Sequence, residues 1–357
     1  MGILCIGDPH FKSDNGETTE MLTEKICDLI MERFEEIDAV AILGDILHRH
    51  EKVDLHPFYR AMNFLQKIHD IISTRENIFL YILIGNHDRS NNQVFMTDEH
   101  VFNPLKLWKN TIVADRAIVH DLKKDYSVLL VPYVPPGRFN EAILTVCSNE
   151  RLQGDKLPIG LVLAHQEFHG AKMNTITSNE GDPWPSLFPL CVSGHIHDYQ
   201  KLAHNLIYTG TPIQHGFADS GRKTVSFFKL SFEDQAAKRG PVYEEERIDL
   251  QIKGKTQVKA HVSQIASLSL PLDNFFVKIK AEGTKSEIKA FTSSKIYHTF
   301  LSQGVVFQFL ELPTVLDNLN VGKKEFKTNL SLSSRLNEIM DKTDDLKVKK
   351  LYTKLFN

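Results

Sequence analysis

Between residues 2 and about 230 the chain alternates two kinds of apolar pattern. "GILCIG" (2–7), "AVAILG" (39–44) and "IFLYILIG" (78–85) are short, nearly continuous apolar runs. Between them, apolar side chains recur every three or four residues. Residues 18–37 carry Leu22, Ile26, Leu29, Ile30 and Ile37, and residues 57–72 carry Phe58, Ala61, Leu65, Ile68 and Ile72 behind Pro57. The first pattern predicts strands and the second predicts helices. Strands without polar alternation are expected where both faces of a sheet are covered. Further strands are predicted at 111–114, 117–120, 127–134, 159–165, 189–194, 205–210 and 223–230, with a helix near 139–149. The result is an α/β domain over 1–232 whose second half is richer in strands.

The pattern breaks at 233–247, "EDQAAKRGPVYEEER", a polar, charged stretch with Gly-Pro that reads as a domain boundary. Beyond it, an apolar strand (275–283), a helix (285–301) and a strand (305–312) predict a small α+β domain over 248–320. The tail, 331–357, reads as two short helices. Leu332, Leu336, Ile339 and Met340 share one face, and Val348, Leu351, Tyr352 and Leu355 share another.

Composition narrows the class rather than the function. The chain has 357 residues, 42% hydrophobic and 24% charged, with net charge −3. That balance gives no general attraction to a polyanion or a membrane, so any such site must be local. No apolar run approaches the roughly 18 residues of a membrane span, and the N-terminus lacks the basic region of a signal peptide. The four cysteines form no C-x-x-C pair, and they read as reduced, mostly buried thiols of a cytoplasmic protein.

The informative residues lie where apolar strands end. The first strand runs into "GDPH" (Asp8, His10), the second into "GDILHRH" (Asp45, His48), and the third into "GNHDR" (Asn86, His87, Asp88). Later strands run into "AHQEF" (His165) and "SGHIHD" (His195, His197). Open α/β sheets place ligand sites beyond the carboxyl ends of their strands, so these five clusters are candidates for one site. On a strand, residues i and i+2 point to the same side, which aims His195 and His197 at one spot. Oxygen and imidazole donors without thiolate favour Mn²⁺ or Fe, with Zn²⁺ also compatible. The count is too large for one ion; seven ligands would suit two ions about 3.5–4 Å apart, the arrangement used in phosphoryl transfer. One carboxylate must then bridge them.

The series "GDPH … GD … GNHD … H … GHIH" over residues 1–230 resembles the calcineurin-like metallophosphoesterases. His48 three residues after Asp45, and "YTGTP" (208–212) after the last motif, look like the SbcD-type double-strand-break repair nucleases and their phage recombination counterparts. The resemblance implies a four-layer α/β/β/α sandwich with a smaller C-terminal α+β capping domain and a helical tail. It implies that Asp8, His10, Asp45 and His197 hold one ion. Asp45, Asn86, His165 and His195 hold the other, with Asp45 bridging. His87 would be the catalytic histidine and His48 would place the nucleic-acid strand. The expected activity is that of a Mn²⁺-dependent DNA exonuclease or endonuclease in recombination or repair, a metal-bridging hydroxide attacking the phosphodiester. The alternative is a phosphoprotein phosphatase or small-molecule phosphodiesterase on the same fold. The implied partners are DNA, an SbcC-type coiled-coil ATPase docking on 331–357, and a second copy of the chain.

Around this core the sequence leaves choices open. Asp88 could orient His87 or cap a turn. Lys12, Arg49 and Arg89 could form a basic rim for phosphates or be solvated loop charges. Trp184, in the long loop 170–188, could stack on a base or simply pack. His169 and His215 read as surface or loop residues, and His50 as structural or solvated.

Overall fold

Two βαβ steps and a third parallel crossover, carrying only a 3-10 turn, build the parallel part of the first sheet. The computed structural model describes residues 1–123, 126–147, 159–173, 176–219, 221–231 and 242–313. Strands β1 (Gly2–Ile6), β2 (Ala39–Ile42), β3 (Phe79–Leu83) and β4 (Thr111–Ala114) are parallel neighbours. Helices α1 (Gly16–Glu32) and α2 (Leu55–Ile72) make the first two crossovers. Along β1–β3 every second residue (Leu4, Ile6, Val40, Ile42, Leu80, Ile82) packs under Leu22, Ile26, Phe64, Leu65 and Ile68 of the helices. The alternate residues (Ile3, Cys5, Ala39, Ala41, Tyr81, Leu83) face the second sheet. Both faces are covered, which is why these strands read as continuous apolar runs. The helical pattern read to Ile37 outlasts α1: Phe34 and Ile37 lie in the turn after it and still pack on the same core.

The second sheet has the order β11-β12-β10-β7-β6-β5. Its members are β5 (Ile118–Lys123), β6 (Tyr126–Val131), β7 (Ile159–His165), β10 (Leu190–Gly194), β11 (Gln200–Ala203) and β12 (Leu206–Tyr208). Strands β6, β7, β10 and β12 run parallel, with β5 and β11 antiparallel at the edges. Val128, Leu130, Leu161, Leu163, Leu190 and Val192 fill the space between the sheets. Leu129, Val131, Val162 and Cys191 face α3 (Phe139–Leu144), which supplies Phe139, Ala142 and Ile143. Helices, sheet, sheet, helix: this is the expected four-layer α/β/β/α order. A two-stranded ribbon, β8 (Lys172–Met173) and β9 (Ile176–Thr177), sits in the loop after β7.

The first sheet is extended by β13 (Val225–Ser231), antiparallel to β1, and then by β14 (Val242–Ile248) at its edge. So residues 242–248, within the stretch read as a boundary, form a strand. Its charges made it look like a linker, but they are partnered. Glu246 pairs with Arg33 at 2.7 Å, and Glu245 accepts from Tyr199 Oη and Ser226 Oγ. Compactness divides the chain into Met1–Val258 with Leu270–Lys278, and Lys259–Ser269 with Ile279–Asn357.

A three-stranded sheet follows in the order β15 (Gly254–His261), β16 (Phe275–Gly283), β17 (Val306–Glu311). The helix expected over 285–301 is two helices, α4 (Lys285–Thr292) and α5 (Lys295–Ser302). Ser294 caps α5, its hydroxyl accepting from Tyr297 N, and so restarts the helix after a break. Phe291, Tyr297, Phe307 and Phe309 form an aromatic cluster in the second unit. The tail helices expected over 331–357 lie outside the described residues.

Candidate metal centre

The ends of β1, β2, β3, β7 and β10 converge, and the chain turns sharply at three of the five motifs found in the sequence. Asp8, His10, Asp45 and His195 all have positive φ, at 41°, 44°, 49° and 81°. Non-glycine residues in that region carry a strain of about 1–3 kcal/mol each, and surrounding structure must impose it. Here the imposing bonds come from within the site. His195 N donates to both carboxylate oxygens of Asp8 at 2.8 and 3.1 Å. His10 N donates to Asp45 O at 3.0 Å, and His87 N donates to Asp45 Oδ1 at 2.8 Å. Two glycines permit the close approach. A Cβ added at Gly85 would collide with Asp45 Oδ1, and one at Gly44, whose φ is +97°, would collide with His165 Nδ1.

The seven side chains fall into two groups around Asp45. On one side, Asp8, His10 and His197 present ligand atoms within 4.8 Å of one another. His10 Nε2 lies 3.1 Å from His197 Nε2 and 3.6 Å from Asp45 Oδ2. On the other side, Asp45 Oδ1 lies 3.4 Å from His165 Nε2. Asn86 Oδ1 lies 3.0 Å from both His165 Nε2 and His195 Nδ1. Asp45 thus offers one oxygen to each group. His165 is fully buried, and its Nδ1 donates to Leu43 O at 2.6 Å, which turns Nε2 towards Asp45 and Asn86 as the nitrogen able to ligate a metal.

Protonation follows from burial and charge. Burial pushes Asp8 up to about 8 despite nearby His165. Burial also opposes ionisation of Asp45, but His165, His10 and His87 outweigh it and hold its carboxyl well below the usual range. Burial would lower His165, but Asp45 and Asp8 raise it to about 9. That proton offsets the charge of Asp45. Burial lowers His195 to about 3, and also lowers His10 and His197. These imidazoles are neutral, as metal ligation requires. Neutral imidazoles gathered about the Asp45 carboxylate, with the amide oxygen of Asn86, offer lone pairs to a metal. Divalent cations fit such a donor set, one on each side of Asp45.

The mouth of the site carries His48 and His87. His87 is about one quarter exposed, its Nδ1 donates to His48 O at 2.6 Å, and its Nε2 lies 3.9 Å from Asp45 Oδ2. The His48 ring stacks parallel to that of His87 at 5.7 Å and meets His10 at 3.4 Å between Nδ1 atoms. His50, read as structural or solvated, stacks on His87 at 4.0 Å.

Several open choices resolve. Asp88 is a turn cap: its carboxylate accepts from Leu47 N at 2.9 Å and Gly85 N at 3.0 Å. Arg89 is no rim residue; it is buried and donates to Tyr133 O. Lys12 turns inward to His215 O at 2.8 Å, and Arg49, paired with Asp54, is the exposed one of the three. Trp184 packs with Phe139, Phe168 and Phe188, and its Nε1 donates to Pro189 O. His169 meets Asn179 O in its own loop. His215 is the residue the sequence misplaced: it is buried against His10 and His197.

Residues 1–199 match the family model of the calcineurin-like phosphoesterases. Two proteins provisionally named as phosphoesterases are similar over most of their length. One, 078R of Invertebrate iridescent virus 3, is 37% identical over 331 residues, 91% of this chain and 89% of the relative. The other, 244L of Invertebrate iridescent virus 6, is 38% identical over 295 residues, 82% of this chain and 98% of the relative. The structure of a phosphoesterase from E. coli covers 64% of this chain and 87% of its own, at 11% identity and a TM-score of 0.31.

Proposed function

The chain belongs to the calcineurin-like phosphoesterase family, and from that premise we propose that it is a two-metal phosphodiesterase acting on DNA. It is a metallophosphoesterase by family; the substrate, the roles of individual residues and Mn²⁺ as the metal are our reading. The observation that carries it is Asp45, whose two oxygens face two separate sets of ligand atoms. Asp8, His10, Asp45 and His197 would hold one ion, and Asp45, Asn86, His165 and His195 the other. Bound there, the ions supply Lewis acidity and activation of a water nucleophile.

The remaining work falls to the mouth. His48 O accepts from Nδ1 of His87, so the proton available to a leaving oxygen is the one on Nε2. His48, exposed beside His87, is positioned to meet the strand. A cavity of about 290 Å³, lined by Leu47, Arg49, Lys52, His87 and Val101, opens next to His87. It offers room to a group beyond the scissile phosphate, as a diester requires, with Arg49, Lys52 and Arg89 in its lining. Glu51 and Glu99 line the same cavity and favour the second reading, a small-molecule phosphodiesterase or phosphoprotein phosphatase.

A labelled DNA duplex incubated with Mn²⁺, alongside small phosphomonoesters and phosphodiesters, separates the two. DNA degradation is expected; intact DNA with hydrolysed small diesters removes the nuclease reading. Docking of a coiled-coil ATPase on 331–357 is a separate proposal, supported by the amphipathic pattern of that segment. Deleting it should abolish co-purification with such an ATPase and leave Mn²⁺-dependent hydrolysis intact.

A further inference from the structure

His215 touches all three residues that stand on one side of Asp45, and none of His165, His195 or Asn86. Its Nε2 donates to Asp8 O at 3.0 Å. Its ring stands edge-on to His10 at 4.9 Å and to His197 at 5.3 Å. The turn that carries it is itself clamped. His215 O accepts from Lys12 Nζ at 2.8 Å and from Lys255 Nζ at 3.1 Å. Asp219 takes His215 N at 2.7 Å and Gly216 N at 3.1 Å.

One feature argues against simple packing. With Nε2 donating, Nδ1 of His215 is left buried with no hydrogen-bond partner among the described residues. A buried polar atom without a partner is unfavourable, and an apolar side chain filling the same space would avoid it. The imidazole makes sense here as a group that holds the Asp8 main chain by its N–H and stands edge-on to two ligand rings.

We propose that His215 is the positioning residue for one ion of the pair, setting the Asp8–His10–His197 side and leaving the Asp45–Asn86–His165–His195 side untouched. This rests on the two-ion reading above. The arrangement corresponds to the outer partners of metal ligands, whose loss costs roughly 10–100-fold in metal affinity.

The test compares the full chain with His215→Phe, which keeps a ring and loses the donor, and His215→Gln, which keeps a donor. Asp219→Ala loosens the turn without touching the ring, and serves if His215→Phe does not fold. Thermal unfolding checks the fold. Manganese per chain is measured by elemental analysis across a titration, and spin coupling by electron paramagnetic resonance. Wild type should hold two coupled ions. His215→Phe should weaken one site at least about 10-fold, leave the other at wild-type affinity, and replace the coupled signal with a mononuclear one. His215→Gln should restore part of the loss, and Asp219→Ala should give a smaller loss at the same site. If a folded variant keeps both ions at wild-type affinity, or loses both in step, the inference is overturned while the two-ion reading stands. A wild type that holds fewer than two ions overturns both.

Discussion

The two sides of Asp45 are built differently. His165, Asn86 and His195 stand at the ends of parallel strands; Leu43 O orients the His165 ring, and Asn86 Oδ1 meets both imidazoles. His165 is fully buried between the sheets' ends. Asp8, His10 and His197 are backed by a side chain from the 211–219 turn, and His197 is exposed. Both sides start from strand ends, Asp8 and His10 after β1 and His197 after β10, but this second side is also backed by a loop held by lysines and an aspartate. Strand-end ligands inherit the rigidity of the core; loop-backed ligands are the ones that mutation can loosen without unfolding the chain.

The largest expected effect erases the comparison. Asp45→Ala should remove both ions and lower phosphodiester hydrolysis by more than the roughly 100-fold that loss of an outer partner costs. Elemental analysis and steady-state rates check this, and a variant that retains one ion at full affinity would show that Asp45 serves one side only. Next, His87→Ala should leave both sides loaded while lowering the rate about 10²–10⁴-fold. Loss of metal in that variant would make His87 a ligand and redraw the division. His165→Ala and His197→Ala then separate sheet from loop. Both should cost an ion, but the buried His165 change should also lower the unfolding temperature, by several degrees, whereas exposed His197 should not. Equal unfolding temperatures would contradict the contrast.

The smallest effect lies outside the site and serves as a control. Burial opposes ionisation of Asp115, but hydrogen bonds from His100 and Lys106 hold its carboxyl at about 2. An unfolded aspartate titrates near 3.9. The folded value is depressed, so the stabilisation is present above about pH 4 and is lost as pH falls towards 2. Asp115→Asn should cost on the order of 2 kcal/mol at neutral pH and flatten stability between pH 4 and 2, with metal content unchanged. Urea melts across that range check it.

Much of this was legible in the chain. Most strands of the two-sheet core announced themselves as apolar runs, the edge strand β11 (QKLA) excepted, and the motifs at their ends were readable because each follows its strand directly. β14 was not, because an edge strand exposes one face and its glutamates look like a linker until Arg33, Tyr199 and Ser226 are seen beside them. β15 escaped for a similar reason, with polar residues at most of its positions. Asp88 was ambiguous because a carboxylate after a histidine can serve the ring or the turn. Only the positions of Leu47 N and Gly85 N decide for the turn. His215 carried no signal at all: it follows a turn, pairs with no nearby ligand type, and looks like any loop histidine.

By itself, then, the sequence determined the strand–helix alternation, the strand ends that bear metal-ligating side chains, and the family to which they belong. Those are local patterns, set by side-chain periodicity and by residues within a few positions of each other. Only the tertiary structure decided which oxygen of Asp45 faces which group, which basic residues turn inward, and that His215 reaches across 207 positions to Asp8. Such choices depend on how strand ends and loops distant in the chain meet in space, and no local pattern records that.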